Sequence, residues 1–286
     1  MPKFAYADWS PTLMQVDSAS PSALPFPIHN GESNIQSLAA LSGKEFALVW
    51  GPGEMEIRKT QGPKTDVPIY THKYYLSNVR VRNVAGADRI YFSGQRSKTV
   101  YLYDIYYLKN GVPVLYTTID PKTLTFPNPC VTGEEIASYS GDFAFDDADT
   151  LYLSSGNVMG PNVGMKVGIY RIKGAGPDSV SGTVERIFLG DGPIQGLCYI
   201  APDLYFLRMA EIWKLNLTSL TELLAIDVPL ATPSPLPRDI ADAGTGFAPT
   251  WLYVMIAAFF KLLTKMAENL KKIADSMPAS PKPPRG

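Results

Sequence analysis

The sequence predicts an all-β fold, a β-propeller of about five four-stranded blades, with one amphipathic α-helix added at the C-terminus. Three observations lead there. A pattern of four short strands recurs at the spacing of a propeller blade, about 40 to 50 residues. Sixteen Tyr and twelve Phe stand among β-branched residues, the side chains that suit a pleated, half-buried surface. Twenty-five Pro and twenty-three Gly are spread along the whole chain, as turns between many short strands require.

The repeat is clearest in the second half. Phe143–Phe145 leads through an Asp-rich turn to Leu151–Ser154, then Ile169–Ile172 and Val184–Leu189. The next copy runs Ile194–Ile200, Asp203–Leu207, Glu211–Leu215 and Glu222–Ile226. Looser copies begin at Val79 and at Ile35. One four-stranded sheet cannot cover both its faces, so blades stack side by side. A two-sheet sandwich has similar strand spacing; the recurrence of the whole four-strand unit favours the propeller. A sixth blade would have to lie within 118–140.

The chain ends complete the pattern. Residues 3–28 hold strand-like pieces but no first strand, and Arg238–Gly244 reads as a first strand without followers. The C-terminal piece is therefore expected to supply the inner strand of the N-terminal blade, which closes the ring and removes its open edges. This gives a propeller over 1–246, a helix over 247–277 and a Pro-rich tail over 278–286.

The turn of Asp followed by Leu-Tyr-Leu, carried by Phe143–Tyr152 and Leu197–Tyr205, resembles the blades of NHL-type and gluconolactonase-like (SMP-30-type) propellers. The resemblance spans about residues 76–228 and implies a fold. Gluconolactonase-like enzymes hold a divalent metal at one mouth of the ring with acidic and amide side chains, and use it to activate water. By that resemblance Asp142, Asn157 and Asp239 are candidate ligands for Ca or another divalent cation. For the acidic residue those enzymes place in the first blade, Glu32 is the nearby option.

In the C-terminal segment Leu252, Ile256, Phe259, Leu263, Met266, Leu270, Ile273 and Met277 step by four and three, a heptad-like seam. Pro249 and Thr250 suit its start and Pro278 its stop. The seam can dock on the propeller, associate with itself or a partner helix, or rest on a membrane surface. The uncharged run Phe247–Phe260 spans about 21 Å as a helix, too short for a bilayer core of about 30 Å.

Composition narrows the function classes. A net charge of -1 and pI near 6.2 argue against nucleic acid as the partner. Two cysteines, Cys130 and Cys198, make no C-x-x-C, and Cys198 lies in an apolar run that suits a core thiol. The N-terminus lacks a continuous apolar stretch of the signal-peptide kind, so a cytoplasmic location is expected, with membrane-peripheral attachment as the variant the helix would allow. Asn216-Leu217-Thr218 would matter as a sequon only in a secretory setting.

Catalytic motifs are missing from the sequence. His29 and His72 have no triad context, and there is no G-x-S-x-G, P-loop or H-E-x-x-H. Asp146, Asp147 and Asp149 lack the spacing of a calcium loop and read as a hairpin turn. Propeller topology gathers the loops that lead into first strands and those between second and third strands at one mouth. That mouth should collect Asp142, Asn157, Gln195, Arg208, Arg96 and Asp239, with the loop Asn157–Lys166 as the adaptable contact. The function expected is a non-catalytic module, without cofactor, that binds a protein, peptide or saccharide at one mouth. The alternative is a divalent-metal-dependent hydrolase or lactonase.

Overall fold

The computed structural model describes residues 2–243 apart from 21–24, 32, 43–44, 51–54, 62–64, 98–99, 119–141, 155–167, 174–182, 191–193 and 228–237. Within them lie five four-stranded antiparallel sheets, the blades of a β-propeller. Blade 2 consists of β4 (Ile35–Leu41), β5 (Glu45–Trp50), β6 (Glu56–Thr60) and β7 (Asp66–Thr71). Blade 3 has longer strands: β8 (Leu76–Val84), β9 (Ala87–Ser97), β10 (Val100–Lys109) and β11 (Val112–Thr118). Blade 4 holds β12 (Phe143–Phe145), β13 (Leu151–Ser154), β14 (Gly168–Lys173) and β15 (Thr183–Leu189). Blade 5 holds β16 (Ile194–Ile200), β17 (Asp203–Arg208), β18 (Glu211–Asn216) and β19 (Glu222–Asp227).

Blade 1 is assembled from both ends of the chain. β1 (Lys3–Ala7), β2 (Thr12–Asp17) and β3 (Phe26–Asn30) are its second to fourth strands, and β20 (Asp239–Asp242) is its innermost. β20 pairs antiparallel with β1, from Phe4 opposite Asp242 to Ala7 opposite Asp239. The closure expected from the orphaned first strand at Arg238 is the one found. The stretch that would carry a sixth blade, the helix seam from Leu252 to Met277 and the Pro-rich tail lie outside the described residues.

Local chemistry explains the hairpins. In blade 3, Asn110 and Gly111 join β10 to β11 with φ of 55° and 76°. Positive φ at both central residues is the turn whose twist matches that of the flanking strands, and Asn-Gly is its commonest sequence. All five blades also break register between their third and fourth strands, at Leu13/Met14, Ile57/Arg58, Ile105/Tyr106, Ile169/Tyr170 and Ile212/Trp213. A bulge sharpens local twist, and its return at one place in every blade gives each outer strand the same turn away from the axis.

The core is divided in the same way. Five buried clusters occupy the five blade interfaces. Phe4, Tyr6 and Ile240 of blade 1 meet Cys198, Tyr205 and Leu207 of blade 5. Ala5, Leu13 and Ala241 of blade 1 meet Leu38, Phe46 and Leu48 of blade 2. Blade 1 is thus covered on both faces, as only a closed ring allows. The richest interface joins blades 3 and 4, where Tyr91, Tyr116 and Phe145 lie with ring centroids 4.9 to 5.4 Å apart. Burying one such side chain stabilises the fold by about 1.5–3 kcal/mol.

Residues Met1–Phe247 divide from the rest of the chain as one compact unit. A chain ending at Phe247 should therefore keep a single cooperative thermal transition by circular dichroism. A chain ending at residue 236, which lacks β20, exposes the inner edge of β1 and one face of blade 5. It should lose that transition.

Candidate functional site

The five inner strands can be superposed on one apolar position each: Leu38, Val79, Phe143, Leu197 and Ile240. Their partners on the second strands are Leu48, Phe92, Leu153, Phe206 and Tyr6. The residues before and after this position carry the chemistry of the axis.

Before it stand Ser37, Asn78, Asp142, Gly196 and Asp239. Three of them accept the backbone N–H of the apolar residue in the following blade. Ser37 Oγ accepts from Val79 at 3.0 Å, Asp142 Oδ2 from Leu197 at 2.7 Å and Asp239 Oδ2 from Leu38 at 2.9 Å. Each bond ties one blade to the next. Gly196 has a different reason to be there. A Cβ on it would lie 3.0 Å from Ile240 N and 3.1 Å from Asp239 Oδ1, so the space a side chain needs is already filled by β20.

After it stand Ala39, Arg80, Ala144, Cys198 and Ala241. Four are small, and the single long side chain crosses the axis through the room they leave. The Arg80 guanidinium pairs with Asp142 and with Asp239, the latter at 2.7 Å. Nε donates to Phe143 O at 2.8 Å, and Nη1 donates to Leu38 O at 2.9 Å and Val79 O at 2.6 Å. The carboxylates are satisfied as well. Asp142 also accepts from Phe143 N, and Asp239 from Ile240 N and Ser37 Oγ. Asp142 and Asp239 are fully buried and Arg80 nearly so. Two carboxylates face one guanidinium, and the backbone N–H groups of Phe143, Leu197, Ile240 and Leu38 stabilise the negative charge left over, as buried charge requires.

Below this layer lies a cavity of about 240 Å³. It runs along the axis toward the hairpins that join first to second strands. Its walls are mixed in polarity, with Arg80 at the inner end and Arg82, Phe145, Tyr199 and Asp242 toward the mouth. Arg82 pairs with Asp149 and lies over Phe145, its guanidinium carbon 4.9 Å from the ring centre. Tyr199 donates its hydroxyl to Asp147 at 3.3 Å. Burial pushes the Cys198 thiol up to about 12, so it is the core group its apolar run suggests and not a nucleophile.

The residues anticipated from the sequence separate into several environments. Asp142 and Asp239 reach the axis and meet on Arg80. Gln195, next to Gly196 on β16, is half-buried. Arg208, at the end of β17, sits over the Trp213 ring at 4.2 Å and 3.8 Å from Glu211. Arg96 belongs to β9, with its side chain undescribed; Asn157, Glu32 and the loop Asn157–Lys166 lie outside the described residues. His29 forms a buried pair with Asp66 at 2.8 Å between β3 and β7. His72 is enclosed by Phe92 and Tyr106, and that burial lowers its pKa. The Asp146 turn is a hairpin cap: its carboxylate accepts from Ala148 N, Thr150 N and the Tyr152 hydroxyl.

Arg80 was the group sequence reasoning missed. Its signal lies in the repeat itself, as one arginine in a column otherwise made of Ala and Cys. Its position also bears on the metal reading. Asp142 and Asp239 would have to give up Arg80 and four backbone N–H groups to take a divalent cation, so they do not fit one as placed. Among the described residues no three His, Cys, Asp or Glu side chains converge as metal ligands would.

No family model matches this chain, and no curated protein matches it. Solved structures of similar blade arrangement include a luciferin-regenerating enzyme, 12% identical over 82% of this chain and 77% of that one, with a TM-score of 0.44. The PQQ-bound aldose sugar dehydrogenase from Streptomyces coelicolor is 12% identical over 83% and 80%, at 0.46. A protein of unknown function from Bacteroides thetaiotaomicron is 12% identical over 85% and 72%, at 0.45. At this level the likeness is to the propeller fold, the one the NHL-type and gluconolactonase-like resemblance implied, and carries nothing about activity.

Two substitutions test the axial layer by urea denaturation. Arg80→Met leaves two buried carboxylates facing each other and should lower stability by about 3–5 kcal/mol. Gly196→Ala forces β16 away from β20 and should lower it by about 1–3 kcal/mol.

Proposed function

We propose that this propeller is a non-catalytic binding module, and that it takes a protein, peptide or saccharide ligand at the mouth formed by Arg82, Phe145, Tyr199 and Asp242. One observation carries the reading. The buried carboxylates on the axis, which a hydrolytic site would need for metal or for proton transfer, are engaged by Arg80 and by neighbouring N–H groups. Groups that are mutually satisfied and buried hold a structure together, whereas catalysis needs at least one left available to the substrate.

A cavity beside that layer is the complement to it. Binding sites are concave and set placed polar groups among apolar residues, and the axial cavity is lined by both. The five-blade ring holds its walls on rigid strands, which favours a preformed site over one assembled by loops.

The hydrolase alternative makes a separate forecast, so the two can be told apart. Under the binding reading, the purified protein takes up no stoichiometric Ca, Mg, Mn or Zn on metal analysis, and EDTA leaves its Tm unchanged. Metal-dependent hydrolysis of simple lactones, present in the natural chain and abolished in Asp142→Asn, would overturn it.

A further inference from the structure

We infer that the axial cavity takes a primary carboxamide, the head of a glutamine or asparagine side chain, and pairs it with the inner edges of the blades. This rests on the reading that the protein is a binding module at this mouth, and adds the chemical group that enters. The backbone lining the cavity offers donors and acceptors side by side.

An inner strand is the edge strand of its blade, so alternate residues turn both N–H and C=O away from the sheet. At the height of the polar layer those residues are Leu38, Val79, Phe143, Leu197 and Ile240. Their N–H groups are taken by Asp239, Ser37 and Asp142. The carbonyls of Leu38, Val79 and Phe143 are taken by Arg80. By the same alternation, Ala40, Val81, Phe145, Tyr199 and Asp242 face the axis next, and all of them line the cavity. Neighbouring bonds agree. Phe46, opposite Ala40, gives its N–H to Thr60 and not to β4. Asp146 bonds Thr150, and Ala243 bonds Lys3, which turns Phe145 and Asp242 inward.

Charge favours no ion of either sign. The charged residues on the cavity wall are Arg80, Arg82 and Asp242. Arg80 bars a cation from the inner end. Every one of its nitrogens is already engaged, so it has no donor left for an anion. Arg82 is paired with Asp149, and Asp242 repels an acid at the mouth.

Hydrogen bonding then decides. A carboxylate leaves the wall carbonyls unmatched, and an ammonium or guanidinium leaves the wall N–H groups unmatched. An unmatched buried polar group costs more than a made bond returns. A carboxamide answers both, since its oxygen accepts and its nitrogen donates. It can exchange two hydrogen bonds with one extended residue, as a residue of an adjoining strand does. Size allows it. A dry cavity of about 150 Å³ holds benzene, so one of about 240 Å³ has room for the roughly five heavy atoms of a glutamine side chain. Its methylene stem can lie beside Ala144 and Ile240, which also line the space.

The test is calorimetric titration of the full chain with a short Gly/Ser peptide carrying a central Gln, beside the same peptide with Glu, Met or Arg there. The Gln peptide should bind about 10-fold more tightly than any of these, the return on two matched hydrogen bonds. Its affinity should change little with salt. In isotope-labelled protein the amide resonances of residues among Ala40, Val81, Phe145 and Tyr199 should shift with the Gln peptide and not with the Met peptide. Ala241→Leu, which fills the shaft, should weaken binding; if it fails to fold, the resonance shifts carry the test. Propionamide should give the same shifts at higher concentration. If it does so at the peptide's own concentration, the ligand is a free amide and the recognised group is unchanged. Equal affinity for the Gln and Met peptides would overturn the inference, as would shifts confined to other residues. Tighter binding of the Glu or Arg peptide overturns it too, while the binding-module reading stands. If no peptide and no amide binds, the carboxamide falls, and metal-dependent lactone hydrolysis would take the binding-module reading with it.

Discussion

One guanidinium holds the centre of this ring. Arg80 bridges Asp142 and Asp239 and through those two carboxylates joins all five inner strands. Asp239 brings in β20 and the N–H of Leu38 on β4, and Asp142 brings in β12 and the N–H of Leu197 on β16. Apolar interfaces between blades supply most of the stabilisation, but they are not directional. The axial layer is directional, and it fixes how the inner strands stand relative to one another.

That layer also explains a buried charge that would otherwise be unfavourable. Moving an ion pair out of water costs several kcal/mol per ion unless the geometry and the extra hydrogen bonds compensate. Compensation comes from the fold. Inner strands that converge on one axis point backbone N–H groups inward at the same height, and the bulges between Ile35 and Ser37, Leu76 and Val79, and Ile194 and Leu197 help to aim the residues that meet them. The arrangement depends on Ala39, Ala144, Cys198 and Ala241 staying small. A second long side chain at that height would compete with Arg80 for the same space.

The polar plug divides the axis into unequal halves. On the side where inner strands begin, the carboxylates are turned to the arginine and to the neighbouring blades. On the other side small residues leave a shaft, and its mouth carries aromatic rings and acids. A structural element at mid-axis thus bounds the cavity beneath it, since without Arg80 the shaft would have no inner end.

The sequence by itself determined the blades. Strand alternation, Asp- and Gly-containing turns, and the four-strand repeat are local properties, and they sufficed to find nearly every strand, including β20 as the missing inner strand of blade 1. The same reasoning placed Cys198 in the core and the Asp146 hairpin as a turn, because those depend on neighbours in the chain. It also placed Asp142 and Asp239 together at one mouth of the ring, since both stand where an inner strand begins. Only the tertiary structure decided what they do there. Asp142 and Asp239 are 97 residues apart in the sequence, and Arg80 is far from both; whether two carboxylates on an axis hold a metal, a substrate or an arginine depends on which third side chain reaches them. That choice was settled by the volume left at one height by four small residues in four different blades, a quantity that exists only once the ring has closed.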